Sequence, residues 1–144
     1  MIDNKNFLEE SLNAVEFMQN TYLYFQGPPG VGKTFTAAHI IKELLKKSKK
    51  IGISANSHKV IFNLLNKIEE LSLKENFSFK GFHKPGSTVE KRYEESKLIK
   101  NTGRVKDETG KFVDQMELEF RKMEASLFSG TAWCFSREVC DQKL

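Results

Sequence analysis

A chain of 144 residues, 39% apolar and 29% charged, carries enough apolar surface to close one core, which excludes a disordered polyelectrolyte and makes a single globular unit the expectation. Lysine and arginine exceed aspartate and glutamate by 23 to 19, giving +4 and a pI near 9.0; that suits a polyanionic partner and equally a lysine-rich solvated surface. No apolar run approaches the roughly 20 residues that cross a bilayer, and Met1-Ile2-Asp3-Asn4 lacks the basic-then-apolar order of a secretory signal, so no membrane partner and a cytoplasmic location are expected.

In chain order, residues 1–20 read as a leading amphipathic helix, with Phe7, Leu8, Leu12, Val15, Phe17 and Met18 near helical period. The aromatic run Tyr22-Leu23-Tyr24-Phe25 then reads as a buried strand stopped by Gly27-Pro28-Pro29-Gly30. From Thr34, Phe35, Ala37, Ala38, Ile41, Leu44 and Leu45 recur at three and four residues, and lysines 46, 47, 49 and 50 gather at that helix's carboxyl end, where cations complement the dipole. Ile51-Gly52-Ile53-Ser54-Ala55 reads as a second strand. Asn56 or Ser57 caps a following helix with the apolar face Val60, Ile61, Leu64, Leu65, Ile68 and Leu71.

Residues 72–127 read as a helical insertion, with a turn at Lys84-Pro85-Gly86-Ser87, a charged helix over Thr88–Lys100, a break at Thr102-Gly103 and a further helix over Phe112–Phe128. Gly130-Thr131-Ala132-Trp133-Cys134-Phe135 reads as a third core strand, so that residues 128–144 close the segment. The strand, loop, helix, strand, helix order predicts an α/β fold with a parallel sheet flanked by helices, its ligands beyond the carboxyl ends of the strands. Cys134 and Cys140, with five residues between them, fit neither a zinc knuckle nor a redox pair and are expected as reduced thiols. His39, His58 and His83 lie far apart in sequence with no acidic or cysteine cluster, so any metal would arrive with a nucleotide.

Gly27-Pro28-Pro29-Gly30-Val31-Gly32-Lys33-Thr34 satisfies G-x-x-x-x-G-K-[ST], the nucleoside-triphosphate loop. A triphosphate needs backbone N–H groups turned in around its oxygens, which glycines permit, and a helix amino terminus adds unpaired N–H groups and about half a unit of positive charge. Lys33 is placed to neutralise the β- and γ-phosphates, and the Thr34 hydroxyl to ligate the bridging Mg²⁺, so these two are the candidate catalytic side chains; Phe35 completes the expected cradle and Thr36 could add a polar contact. A random match in a chain this long has odds of roughly one in two hundred.

With Gln26 before it, this loop resembles the QGPPGTGKT form of superfamily 1 helicases of the 5′→3′ branch, departing only at Val31. The segment from Ile53 to Leu65, with Ser57-His58 and Asn63-Leu64-Leu65, resembles the next motif of that superfamily, which touches the backbone of single-stranded DNA. Gly130-Thr131-Ala132-Trp133 resembles the third motif of a bacterial subgroup joined to a RecB-like nuclease. The likeness covers roughly residues 20–72 and 127–144. It implies the amino-terminal part of a RecA-like motor domain that binds ATP and Mg²⁺ and moves on single-stranded DNA, RNA being the alternative strand, with Ser57, His58 and Thr131 as nucleic-acid contacts and the remainder of the helicase as partner.

The family's acidic Walker B strand has no clear counterpart: Phe112-Val113-Asp114-Gln115 and Val139-Cys140-Asp141-Gln142 are the nearest, and neither has the required apolar run. Glu10 and Ser11 stand near the place of the glutamine that reads adenine in many such helicases. Without the resemblance, Ser57 and His58 read as a helix cap and a surface histidine, and Trp133 reads as core with base stacking as the alternative. Two rival functions stay open: a small P-loop ATPase or kinase complete in itself, and a non-catalytic nucleotide-binding remnant.

Overall fold

The computed structural model describes residues 4–87 and 93–141. Helix α1 (Asn4–Glu16) leads, followed by α2 (Lys33–Lys46), β1 (Ile51–Ser54), α3 (His58–Glu75), β2 (Gly81–His83), β3 (Ile99–Asn101), the hairpin β4 (Arg104–Lys106) and β5 (Phe112–Asp114), α4 (Gln115–Lys122), β6 (Leu127–Gly130), α5 (Ala132–Phe135) and a 3-10 turn (Glu138–Cys140). The central sheet runs β1-β6-β2-β3 and is parallel throughout, with Ile51 opposite Leu127, Leu127 opposite Gly81 and Gly81 opposite Ile99. This is the expected α/β architecture, a parallel sheet flanked by helices, consistent with a RecA-like P-loop fold.

Each face of the sheet has its own core, because side chains alternate along a strand. On one side Ala38 and Leu45 of α2 and Ile61, Leu65, Ile68 and Leu71 of α3 pack against Ile53, Ile99 and Leu127; on the other, Met116 and Phe120 of α4 and Cys134 of α5 pack against Phe82 and Phe128. The α3 face is therefore the one its periodicity predicts, except that Val60 is exposed. Gly81 lies where a Cβ would come within 3.2 Å of the Ile99 side chain and 3.3 Å of the Leu127 side chain, so a larger residue there would press on both neighbours.

The lysine cluster at the end of α2 does more than complement a dipole. Lys42 and Lys46 both bind Glu75 at the far end of α3, tying the two helices together, and Lys47 pairs with Glu16 of α1. Lys50 donates to the carbonyls of Met123 (2.7 Å) and Ala125 (2.8 Å), fixing the start of β1 beside the turn that feeds β6.

Several expectations from the sequence are corrected. Tyr22–Phe25 forms no strand: residues 21–28 have no regular structure, and Tyr22 and Tyr24 are exposed. A strand is held by ladder bonds to a neighbour, and the described sheet order leaves this run outside the ladder. Second, 72–127 is not a helical insertion, since β2 and β3 belong to the central sheet and only the β4–β5 hairpin stands apart from it. Of the expected Thr88–Lys100 helix, residues 88–92 lie outside the described ones, while 93–98 are non-helical and 99–101 are strand.

Third, the Phe112–Phe128 helix shrinks to Gln115–Lys122. Asp114 accepts from the Met116 amide at 3.0 Å to cap its start, and Met123 at φ 51° ends it. Fourth, the last strand comes earlier, at Leu127–Gly130, and Ala132–Phe135 is a helical turn; a Cβ on Gly130 would sit 2.8 Å from that of Cys134, so glycine permits the tight fold-back. The leading helix also ends at Glu16 rather than residue 20. Cys134 and Cys140 are free and buried, and burial pushes the Cys134 thiol up to about 12, keeping it protonated at neutral pH.

Phe128 is fully buried, stacked on Phe120 at 4.3 Å and, on the same side, 6.5 Å from Phe82. Phe128→Ala is expected to cost about 3–5 kcal/mol in urea unfolding, as an unfilled cavity in a two-sided core does; a loss below about 1 kcal/mol would contradict the central place of β6.

Candidate nucleotide site and the carboxyl edge of the sheet

The link from Lys47 to Lys50 turns the chain back into β1, so α2 runs antiparallel to the strands and opens at their carboxyl edge. The loop before it is shaped by two left-handed glycines, Gly30 at φ 85° and Gly32 at φ 84°, the latter serving as the residue before the first helical turn. Gly27 is needed for closeness instead: a Cβ there would lie 2.7 Å from a methyl of Val31. The first α-helical bond runs from the Thr36 amide to the Gly32 carbonyl at 2.9 Å, so the N–H groups of the opening turn have no carbonyl one turn earlier to accept from them.

Lys33 curls back over this loop and donates to the carbonyls of Gly27 (2.5 Å) and Pro28 (2.7 Å). The ammonium thus spans the loop's two ends, in reach of an anion held between them. Thr34 and Phe35 are exposed, and the Phe35 ring lies 4.0 Å from that of His39, whose Nδ1 is 2.9 Å from the Phe35 carbonyl. Pro28, Pro29 and Val31 are exposed.

Beside the loop is a cavity of about 600 Å³ between α1, residues 25–28 and the first two turns of α2. Phe7 and Val15 of α1 form one wall, and Ala37, Ile40 and Ile41 of α2 form the other; Phe25, Gln26, Gly27, Pro28, Val31, Lys33 and Thr36 complete it. The Phe7 and Phe25 rings meet edge to face at 6.2 Å. Among the described residues no carboxylate lines this cavity. Ser11, on the α1 face between Phe7 and Val15, is buried with its hydroxyl donated to the Phe7 carbonyl at 2.7 Å, and Glu10 faces solvent.

The sheet register gathers the other candidate residues. Ser54 is opposite Gly130, so the turn carrying Ser57 and His58 and the turn carrying Thr131 leave adjacent strands at the same edge. Ser57 and Thr131 immediately precede α3 and α5, and neither side chain makes a capping bond; Ser57 is exposed and Thr131 half-buried. His58 is not a plain surface histidine. Its Nδ1 lies 3.3 Å from Nε2 of the fully buried His83, whose Nδ1 is 3.0 Å from the Ser129 hydroxyl, and Phe62 packs on His83 at 5.1 Å.

That cluster of His58, His83 and Ser129 escaped a reading that treated the histidines as separate. The signal was available only through the topology, which sets the ends of β1, β6 and β2 side by side. Trp133 also departs from expectation: it is 84% exposed on α5 rather than in the core, because the strand stops at Gly130 and Cys134 takes the inward position.

The nearest acidic candidates are engaged elsewhere. Asp114 ends a hairpin strand outside the central sheet and binds Lys84 (2.5 Å) and Arg137 (2.6 Å), cations that hold its carboxyl below the usual range against the opposing effect of burial. Asp141 is exposed beyond the 3-10 turn. Among the described residues no group of three or more histidine, cysteine or acidic side chains is arranged to hold a metal, and no helix is long and apolar enough to cross a membrane.

Residues 3–128 match the sequence model of the res subunit of type III restriction enzymes. The chain belongs to this family. Membership agrees with the parallel sheet and the phosphate loop, and it places the chain among helicase-like, ATP-dependent motor sequences; Ser129 to Cys140, with Thr131 and Trp133, fall outside the matched span. No curated protein and no solved structure matches the chain.

Because Trp133 is the one tryptophan, intrinsic fluorescence reports its surroundings alone. Emission near that of tryptophan in water and free quenching by acrylamide are expected, whereas blue-shifted, protected emission would contradict an exposed ring.

Proposed function

We propose that the chain is the ATP-binding front part of a RecA-like DNA helicase motor of superfamily 1, 5′→3′ branch, from the subgroup joined to a RecB-like nuclease. The observation that carries this reading is the loop itself: two left-handed glycines, a lysine folded across the loop's ends, and an open helix amino terminus converge beside a cavity sized for a nucleoside. In bound ATP, Lys33 releases the Gly27 and Pro28 carbonyls to pair with the β- and γ-phosphates, while amides from Gly30 to Thr34 take the remaining oxygens.

The exposed Thr34 hydroxyl fits a magnesium ligand at the head of α2, and Mg²⁺ there would offset charge on the same phosphates. Ser57, His58 and Thr131 form the strand-contacting side, with uncapped hydroxyls at Ser57 and Thr131 able to donate to phosphates of single-stranded DNA. Both sites lie at the carboxyl edge of one sheet, the arrangement through which nucleotide state and strand grip can be coupled.

Hydrolysis by these residues alone should be slow, since among the described residues no carboxylate lines the cavity to activate water. A turnover assay on the 144-residue chain separates this reading from a complete small ATPase or kinase: multiple turnovers per minute would favour the latter. Lys33→Ala should weaken ATP·Mg²⁺ binding by about a hundredfold, the size of a lost charge-assisted contact of about 2–3 kcal/mol, and equal affinity would refute the loop assignment. Ser57→Ala combined with Thr131→Val should lower affinity for oligothymidylate by about tenfold with little change in the salt slope; unchanged affinity would remove the strand-contact role.

A further inference from the structure

The cavity beside the phosphate loop is walled mostly by apolar side chains. We propose that this site, taken as the nucleotide site argued above, binds purine nucleoside triphosphates by stacking and shape, accepting GTP about as well as ATP. Adenine and guanine differ at two adjacent edge positions: adenine presents an N6 donor and an N1 acceptor, guanine an O6 acceptor and an N1–H donor. Telling them apart requires a polar pair fixed in one orientation.

Among the described residues, no side-chain pair of that kind lines the cavity. Phe7, Val15, Phe25, Val31, Ala37, Ile40 and Ile41 give it only carbon. On α1, the residue one turn from both Phe7 and Val15 is Ser11, and its hydroxyl is spent on the Phe7 carbonyl at 2.7 Å inside a buried site, while Glu10 points to solvent. Lys33 belongs to the phosphates, and the Thr36 hydroxyl is a single rotor that donates or accepts as needed.

Among the described residues Gln26 is the one side-chain amide on the wall, and it is exposed. An amide carries a donor and an acceptor side by side, so turning it over by half a rotation matches either base. Discrimination by apolar contact reaches only about 10- to 200-fold even between ligands of different size, against about 10⁴- to 10⁵-fold for a site that fixes hydrogen-bond partners. Two purines of equal ring size therefore receive nearly equal treatment, and what holds them is the aromatic corner where Phe7 meets Phe25 at 6.2 Å.

The test is competition on the 144-residue chain with Mg²⁺ present, using a fluorescent methylanthraniloyl-ATP as probe and ATP, GTP and inorganic tripolyphosphate as competitors. ATP and GTP are expected to displace it with dissociation constants within about tenfold of each other. Phe25→Ala and, on the opposite wall, Phe7→Ala are each expected to weaken both nucleotides by the same factor, about tenfold, while leaving tripolyphosphate unchanged and the circular dichroism of the fold intact. ATP preferred over GTP by more than about a hundredfold, or nucleotide affinity indifferent to both phenylalanine changes, would overturn the base-tolerant site while leaving the phosphate loop standing. Failure of the probe and of all three competitors to bind would overturn the nucleotide site itself and this inference with it.

Discussion

The parallel pairing of β6 between β1 and β2 is the constraint that organises the molecule. All four of its residues are buried, and it is laddered on both sides, so Leu127 and Phe128 must serve opposite cores at once. The same register brings Ser54, His83 and Gly130 to one edge, which is where the chain turns into α3 and α5. Shifting β6 by a single residue would put Phe128 among the α2–α3 side chains and turn Ser129 away from His83, dismantling both the core and the edge.

The nucleotide loop depends on that frame at one remove. Its conformation is local, set by Gly30 and Gly32, but its placement comes from α2, and α2 is held by Ala38 and Leu45 in the core, by Lys42 and Lys46 on Glu75, and by Lys47 on Glu16. Basic residues that a composition count assigns to solvent thus act as fasteners between helices. Lys50, bound to two carbonyls of the turn before β6, does the same for the sheet.

Helices α2 and α3 and strand β1 were legible in the sequence because each has a long or sharply bounded periodic signal, and the phosphate loop because its residue types are fixed by what glycine and lysine can do. The β2 and β3 strands were not, since three residues each, among them Gly81, His83 and Lys100, present no alternation long enough to count. Tyr22–Phe25 failed the other way. It has strand composition, but composition does not supply a neighbour, and among the described residues its aromatic partner is Phe7 on a helix. Likewise Trp133 has a core residue's chemistry and lies outside because Cys134, one position on, takes the inward direction. The meeting of His58 with His83 could be read only from the strand order, which the chain does not announce locally.

The order in which the sheet's strands are synthesised differs from their order in space. β6, the strand that joins β1 to β2, is made after β1, β2 and β3, so Ile51 and Gly81 must wait for Leu127 before either has its parallel neighbour there. Contacts so distant in sequence carry a large closure entropy and slow assembly. On the ribosome, then, α2 and α3 emerge as a helical pair with an unclosed apolar side, and the sheet can snap together only once residues 127–130 have cleared the exit tunnel.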